Sequence, residues 1–191
     1  LNAVNFDGMR EARDFIKLYS DVDGFEIFGL PRFEYSYLNE AFPGIVEFDI
    51  DLIRIANIDI EVASDDGFPS PDFADKEVTA ITMKKDGEYV VFGCGAYWPK
   101  RKDIRYIRCD NEEELLRVFL DEWERGGQPD IVTGWNITFF DIPYLIRRIT
   151  KLFGANITKR FSPWNIAPRE SEVTIKGKTS KFFRIEGVAN L

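Results

Sequence analysis

The chain has 191 residues, 33 Asp and Glu against 25 Lys and Arg, a formal charge of −8, 45% hydrophobic and 15% aromatic residues, and no histidine. The missing histidine excludes Ser-His-Asp and Cys-His catalysis, HExxH zinc helices and mixed Cys/His zinc fingers, so a metal site must use oxygen ligands, which favour Mg²⁺, Mn²⁺ or Ca²⁺, or the two cysteines. Cys94 and Cys109 are too few for a disulfide framework, and the least charged stretch, Val90 to Trp98, is far shorter than the roughly 20 residues a membrane helix needs.

No secretory signal is visible. The chain opens on Leu1 and closes on Leu191 inside an apolar, strand-like run, and it reads as a piece of a longer protein. Residues 7–19 place Met9, Ala12, Phe15, Ile16 and Tyr19 at helical spacing, with Asp7 as the N-cap. A short strand is expected over Phe25 to Phe28, followed by an irregular, aromatic-rich connection from Pro31 to Pro43. A composition change near Glu47 to Asp51 divides an N-terminal element, residues 1–50, from a main domain, residues 51–191.

Leu52 to Ala63 carries the strongest strand signal and ends in the turn-rich run Ser64 to Pro69. Glu77 to Met83 and Glu88 to Gly93 form two more strands, and Asp86-Gly87 between them predicts a hairpin. Tyr106 to Cys109 is a short strand. Asp110, with Glu113 three residues on, is the capping pattern of a helix that runs to about Arg125 and stops at Gly126-Gly127. Ile131 to Trp135 is a further strand. Asp141-Ile142-Pro143 then starts a second helix with Gly154 beyond its end, and Glu172 to Lys176 and Lys181 to Glu186 form a closing hairpin turned by Gly177-Lys178. Strands in a meander followed by helix, strand and helix make an α/β fold with a mixed sheet flanked by helices.

Charge is uneven. From Ile142 to Leu191 there are ten Lys or Arg and three acids, a net of +7, which leaves −15 on the first 141 residues. This basic quarter either follows a phosphate backbone or forms a solvated face.

Alternation along the first strand puts Ile53, Ile55, Asn57, Asp59 and Glu61 on one face and Arg54, Ala56, Ile58, Ile60 and Val62 on the other. Asp59 and Glu61 emerge one pleat apart at the C-terminal end of the strand, where sheet-based α/β sites form. Two acceptor-only ligands in one place repel unless a cation sits between them; otherwise they are two solvated acids on a half-exposed strand. Gly134-Trp135-Asn136-Ile137-Thr138-Phe139-Phe140-Asp141-Ile142-Pro143-Tyr144 forms the second constellation. Asp141 either points into a site from a strand-loop-helix junction or caps the helix, and Asn136 both donates and accepts hydrogen bonds from the loop.

Together and in this order the two segments resemble a known family. Asn57-Ile58-Asp59-Ile60-Glu61-Val62 is similar to the first exonuclease motif of family B DNA polymerases, and Asn136-x3-Phe140-Asp141-x-Pro143-Tyr144 resembles their second. Tyr106 to Trp123 and the loop Asp66-Gly67-Phe68-Pro69 are similar to the T-even-type phage branch, with a looser likeness over Phe6 to Tyr37. The resemblance implies a ribonuclease-H-like proofreading domain, residues 51–191, behind the end of a polymerase N-terminal domain, residues 1–50. It further implies two Mg²⁺ or Mn²⁺ ions held by Asp59, Glu61 and Asp141, which remove a nucleotide from a DNA 3′ end. Asn136 and Phe140 would shape the site around that terminal nucleotide or hold the loop. Phe68 is a stacking platform for a frayed base or an anchor for its own loop, while Trp135 and Tyr144 are assigned to packing.

The implied partners are single-stranded or primer-template DNA 3′ ends, the remainder of a polymerase chain and a replication clamp. The implied setting is the cytoplasm of an infected bacterial host, with no membrane role. One motif departs from the family. Its third, Tyr-x3-Asp, does not follow Asp141; Tyr19 to Asp23 and Tyr106 to Asp110 match the spacing but come too early. The 191-residue chain is therefore expected to have little activity alone. Two other classes stay open: a stand-alone ribonuclease-H-like nuclease using Asp65 or Asp66 as the fourth ligand, and a non-catalytic single-strand-binding module using the basic segment after Ile142.

Overall fold

The computed structural model describes residues 2–28, 33–45, 47–64, 67–175 and 177–191. The chain divides into two compact units, Leu1–Phe48 and Asp49–Leu191. In the first, helix α1 (Met9–Tyr19) is capped by Gly8 and not by Asp7, whose own N–H donates to the Glu11 carboxylate. Phe25 to Phe28 form no strand. Phe25 instead packs on α1, its ring 5.0 Å from Tyr19 and 6.4 Å from Phe15, so the aromatic that suggested a strand serves a small tertiary cluster. The expected irregular connection holds a helix, α2 (Phe33–Ala41). Pro43 lies beyond its end and interrupts none of its backbone hydrogen bonds. Pro31 itself lies outside the described residues.

The second unit opens with a single 3-10 turn, Ile50–Leu52, so the first strand is shorter than expected: β1 spans Ile55–Val62. It pairs antiparallel with β2 (Val78–Lys85), and β2 pairs antiparallel with β3 (Glu88–Gly93). The hairpin turn forms at Asp86-Gly87, both with positive φ (+51° and +79°), the backbone of a type I′ turn and the reason Gly is favoured there. β4 (Ile104–Arg108) lies parallel to β3, β5 (Ile131–Thr133) parallel to β1, and β8 (Ala189–Asn190) parallel to β5. The resulting six-stranded mixed sheet has the order β4-β3-β2-β1-β5-β8, a ribonuclease-H-like α/β arrangement. β6 (Arg169–Ile175) and β7 (Lys178–Arg184) form a separate hairpin. Lys178 is already in β7, so it is not a turn residue as expected; Gly177, at φ +80°, lies in the turn, and Lys176 is outside the described residues.

Helix α3 (Glu112–Glu124) follows β4 and α4 (Asp141–Phe153) follows β5. The cap of α3 sits one residue later than expected. The Asn111 side chain accepts from the Glu114 N–H (3.0 Å), and the Glu114 carboxylate reaches back to the Asp110 N–H (2.6 Å), a capping box displaced by one position. β1 alternates as its sequence requires, with Ala56, Ile58 and Ile60 buried and Ile55, Asn57, Asp59 and Glu61 exposed. The buried set joins Ile81, Met83 and Phe92 of β2 and β3, Leu116, Phe119 and Trp123 of α3, and Ile142, Leu145 and Ile149 of α4 in one core. Trp123 lies in it fully buried, its indole N–H donating to the Phe161 carbonyl (3.1 Å). Burial of this kind stabilises by about 25 cal/mol per Å² of apolar surface and fixes which face of β1 points outward.

At the end of α3, Lys85 is 7% exposed and its ammonium donates to the carbonyls of Trp123 (2.9 Å), Arg125 (2.6 Å) and Gly127 (3.0 Å), with Glu122 at 3.3 Å. A cation at a helix C-terminus satisfies carbonyls that have no helical partner. Arg148 of α4 and Glu112 of α3 form a largely buried bidentate pair (2.8 and 2.6 Å), and Glu112 also accepts from the Val78 N–H. That pair ties both helices to the start of β2.

Candidate active site

Asp59 and Glu61 stand on the outward face of β1, near its C-terminal end. Asp141, the first residue of α4, is 3% exposed and does not cap its helix: Phe140 occupies the cap position without a side-chain bond. The Asp141 Oδ1 instead accepts the backbone N–H of Ile60 (3.1 Å), the residue between Asp59 and Glu61. A contact 81 residues apart in sequence thus joins the two motifs, and it removes the helix-cap reading of Asp141. Burial pushes the Asp141 carboxyl from 3.8 up to about 6; the Ile60 N–H opposes this, and the charges of Asp59 and Glu61 add to the rise.

The backbone makes that approach possible at one residue. Gly134 follows β5 directly, and a Cβ there would lie 2.4 Å from the Ile58 carbonyl oxygen. Only glycine lets the loop pass so close to β1. The loop then turns at Asn136, in the left-handed region at φ +54°, where asparagine is tolerated better than most residues. The Asn136 carbonyl accepts the N–H groups of Phe139 (3.1 Å) and Phe140 (3.0 Å), so this exposed residue shapes the loop through its backbone.

Phe140 is half-buried, and its ring lies 5.0 Å from Phe68 and 5.7 Å from Tyr144. Phe68 is 82% exposed, so it rests one side on Phe140 and leaves the rest open to solvent. Tyr144 is fully buried, as its packing assignment requires; its hydroxyl donates to the Lys76 carbonyl (2.8 Å) and accepts the Lys76 N–H (3.1 Å). Trp135 is a correction. It is 92% exposed and takes no part in the core, because its neighbour Gly134 is held against β1 and the chain turns outward after it.

Asp110 lies beyond the end of β4, the sheet's edge strand, with β3 and β2 between it and β1. Asp65 and Asp66 lie outside the described residues. Among the described residues no group of three or more Asp, Glu or Cys side chains is arranged to hold a metal ion as they stand. Within the basic quarter, Arg147 pairs with Glu170 (2.7 Å), Arg148 with Glu112 (2.6 Å), Arg160 with Asp121 (2.7 Å), Arg169 with Glu186 (2.8 Å) and Lys181 with Glu170 (3.2 Å). These five of the segment's ten Lys and Arg are engaged in ion pairs within the fold, which leaves fewer of them free to meet phosphates. Among the described residues no helix is long and apolar enough to cross a membrane.

The donor chemistry is consistent. Three carboxylates from two elements offer only hard oxygen ligands, the set that suits Mg²⁺ or Mn²⁺, and a divalent cation would offset both the mutual repulsion and the burial that hold Asp141 up.

Comparison with known proteins agrees with this geometry. The family model for DNA polymerase family B, exonuclease domain, matches residues 34–189. The chain is 36% identical to the DNA-directed DNA polymerase of Escherichia phage RB69 over 185 residues, which cover 83% of this chain and 20% of that protein. It is 30% identical to the DNA-directed DNA polymerase of Enterobacteria phage T4 over 213 aligned positions, covering 97% of this chain and 23% of that protein. The DNA polymerase delta catalytic subunit of Dictyostelium discoideum is 31% identical over 153 residues, 66% of this chain and 13% of that protein. The chain spans about a fifth of the length of the phage relatives it matches. With the outward acid pair on β1 and the Asp141 junction at α4 in the matched span, the chain belongs to the exonuclease domain of DNA polymerase family B.

Proposed function

We propose that Asp59, Glu61 and Asp141 are the metal-organising carboxylates of a 3′ to 5′ proofreading exonuclease within a DNA-directed DNA polymerase. The observation that carries this is the bond from the Ile60 N–H to Asp141, which ties a buried carboxylate to the residue that separates the two outward ones. Mg²⁺ or Mn²⁺, when bound, supplies activation of water and stabilisation of the leaving oxygen in phosphodiester hydrolysis.

The chain's own residues supply the rest. β1 presents Asp59 and Glu61 from a stretch laddered to β2 on one side, while on the other the ladder to β5 ends at Asn57 and the Ile60 N–H is taken by Asp141. Ile60 fixes the rotamer of Asp141. Phe68 and Phe140 offer an apolar surface on which an unpaired terminal base stacks, and Asn136 sets the loop that carries Phe140. The partners on this reading are single-stranded or primer-template DNA 3′ ends, the rest of a polymerase chain and a replication clamp, in the cytoplasm of an infected host. Residues 142–191 contain no Asp, so the family's third motif does not follow Asp141 in this sequence, and the 191-residue chain is expected to trim DNA poorly by itself.

The test is metal binding. Mn²⁺ titrated at pH 8 should raise the unfolding temperature of the chain, by the equivalent of about 2.7 kcal/mol at a hundred times the dissociation constant. Asp59→Ala and Asp141→Asn should each lose that rise. An equal rise in all three proteins would show that these carboxylates are not the ligands.

A further inference from the structure

β3 and β4 are parallel neighbours, so the chain from Cys94 to Asp103 must return from one end of the strands to the other. Such a return is ordinarily a helix; here it is a ten-residue strap with no regular structure. Pairing across the sheet shows which face it crosses. Asn57 aligns with Lys84, Lys84 with Tyr89, Asp59 with Thr82, Thr82 with Val91 and Val91 with Tyr106, so Tyr89 and Tyr106 share the outward face with the acids. The strap lies on those two tyrosines: the Tyr106 hydroxyl donates to the Gly95 carbonyl (2.5 Å), Tyr97 packs edge-on against Tyr106 (5.3 Å), and the Arg101 guanidinium sits over the Tyr89 ring (5.0 Å).

The strap therefore walls one side of the outward face and leaves the β1–β2 half open. Beside it is a groove of about 500 Å³ lined by Ile55, Asn57, Lys84, Asp86, Gly87 and Tyr89, and Asn57 lies one pleat from Asp59. The chemistry of the wall is distinctive in an acidic protein. Tyr97-Trp98-Pro99-Lys100-Arg101-Lys102 has three cations and no acid. Trp98 is 80% exposed and Tyr97 49%. Lys100, Lys102 and Arg108 are exposed and form no ion pair with another described residue; exposed Lys84 lies over the Tyr89 ring (5.0 Å) without an ion pair to a described residue, and Arg101 is paired with Asp103. Unpaired cations interleaved with exposed aromatics beside an open groove match a polymer of phosphates whose bases are free to stack, which is a single strand.

We propose that the strap Cys94–Asp103, with Lys84 and Arg108, is a single-stranded DNA-binding wall that holds the strand in the groove next to the acids. The proposal rests on the exonuclease reading for its substrate and adds a binding surface separate from the carboxylates. Trp98 stacks a base, and Lys100, Lys102 and Lys84 take phosphates.

The experiment is fluorescence anisotropy of a labelled oligo-dT strand with the chain in EDTA, across a salt series, which measures binding without hydrolysis. Trp98→Ala should weaken binding about tenfold, within the range for loss of one stacked base. Lys100→Glu/Lys102→Glu should weaken it further and reduce the magnitude of the log-log salt slope by about 0.7 for each phosphate that is no longer neutralised. Unchanged unfolding temperatures show that the exposed substitutions leave the fold intact. Strap variants that bind oligo-dT like the parent overturn the proposal, as does an equal loss of affinity for a blunt duplex. Neither result touches the exonuclease reading, which fails separately if Asp59→Ala leaves metal binding unaltered.

Discussion

Replacing Gly134 by alanine places a methyl group 2.4 Å from the Ile58 carbonyl oxygen, where ordinary contact begins at 3.4 Å. The loop after β5 and the middle of β1 must then separate by about 1 Å, and both are backbone, with no flexible side chain to absorb the shift. The strain falls just beyond the last pair of the parallel ladder, Asn57 with Thr133, and beside the peptide that precedes Asp59. Overpacking of this kind costs about 1–3 kcal/mol, which for a domain of this size lowers the unfolding temperature by roughly 3–10 °C. Differential scanning calorimetry measures it directly. Gly95→Ala is the control, because a Cβ there meets nothing within 4 Å and should shift the transition by less than about 1 °C. A Gly134→Ala protein that melts with the parent would refute the claim that this glycine sets the distance between the two motifs.

Burial holds the Asp141 carboxyl at about 6 against 3.8 unfolded, so the folded state binds its proton more tightly; the associated stability is fully present below pH 3.8 and is lost as pH rises through about 6. Asp141→Asn, neutral at every pH, should therefore be more stable than the parent at pH 8 in EDTA, by up to about 3 kcal/mol, with the advantage shrinking by roughly 2 kcal/mol at pH 4.5. Urea unfolding at the two pH values checks this, and a pH-independent difference between the proteins would count against it. Lys85→Met leaves the carbonyls at the end of α3 without their donor and should cost about 2–4 kcal/mol, measured by the same unfolding; a neutral result would mean that water replaces the ammonium freely. Trp135→Ala should leave stability within about 0.5 kcal/mol, since the side chain is 92% exposed; a large loss would restore its packing role.

Features governed by short-range rules were legible in the sequence. The alternation of β1 assigned Asp59 and Glu61 to the outward face because burial of Ile58 and Ile60 leaves no other register. Asp86-Gly87 marked its hairpin and Gly154 the end of α4, each by a positive φ that glycine adopts without strain. The misses share a different cause. Phe25 looked like strand and Trp135 like core because an aromatic signals burial without saying against what, and only the tertiary arrangement decides. Asp110 and Asn111 are both good caps, and the geometry leading out of β4 chose the second.

Distance in sequence hid the rest. The basic quarter looked free because its partners, Glu112 for Arg148 and Asp121 for Arg160, lie 36 and 39 residues away. Asp141 carried two local readings, and the bond from Ile60, 81 residues distant, removes the helix-cap one. The charges of the strap carry meaning only once β3 and β4 are known to be parallel neighbours, which no local pattern shows.

The proposed role of Asp59, Glu61 and Asp141 is to organise hydrolysis at a DNA 3′ end. Its most direct test is release of nucleotides from a 3′-labelled single strand with Mg²⁺ or Mn²⁺, using a chain extended past Leu191 and its Asp59→Ala variant, with the 191-residue chain alongside. Trimming by the extended chain, abolished by Asp59→Ala, is expected, with little trimming by the shorter one. Trimming by the extended chain that survives Asp59→Ala would contradict it.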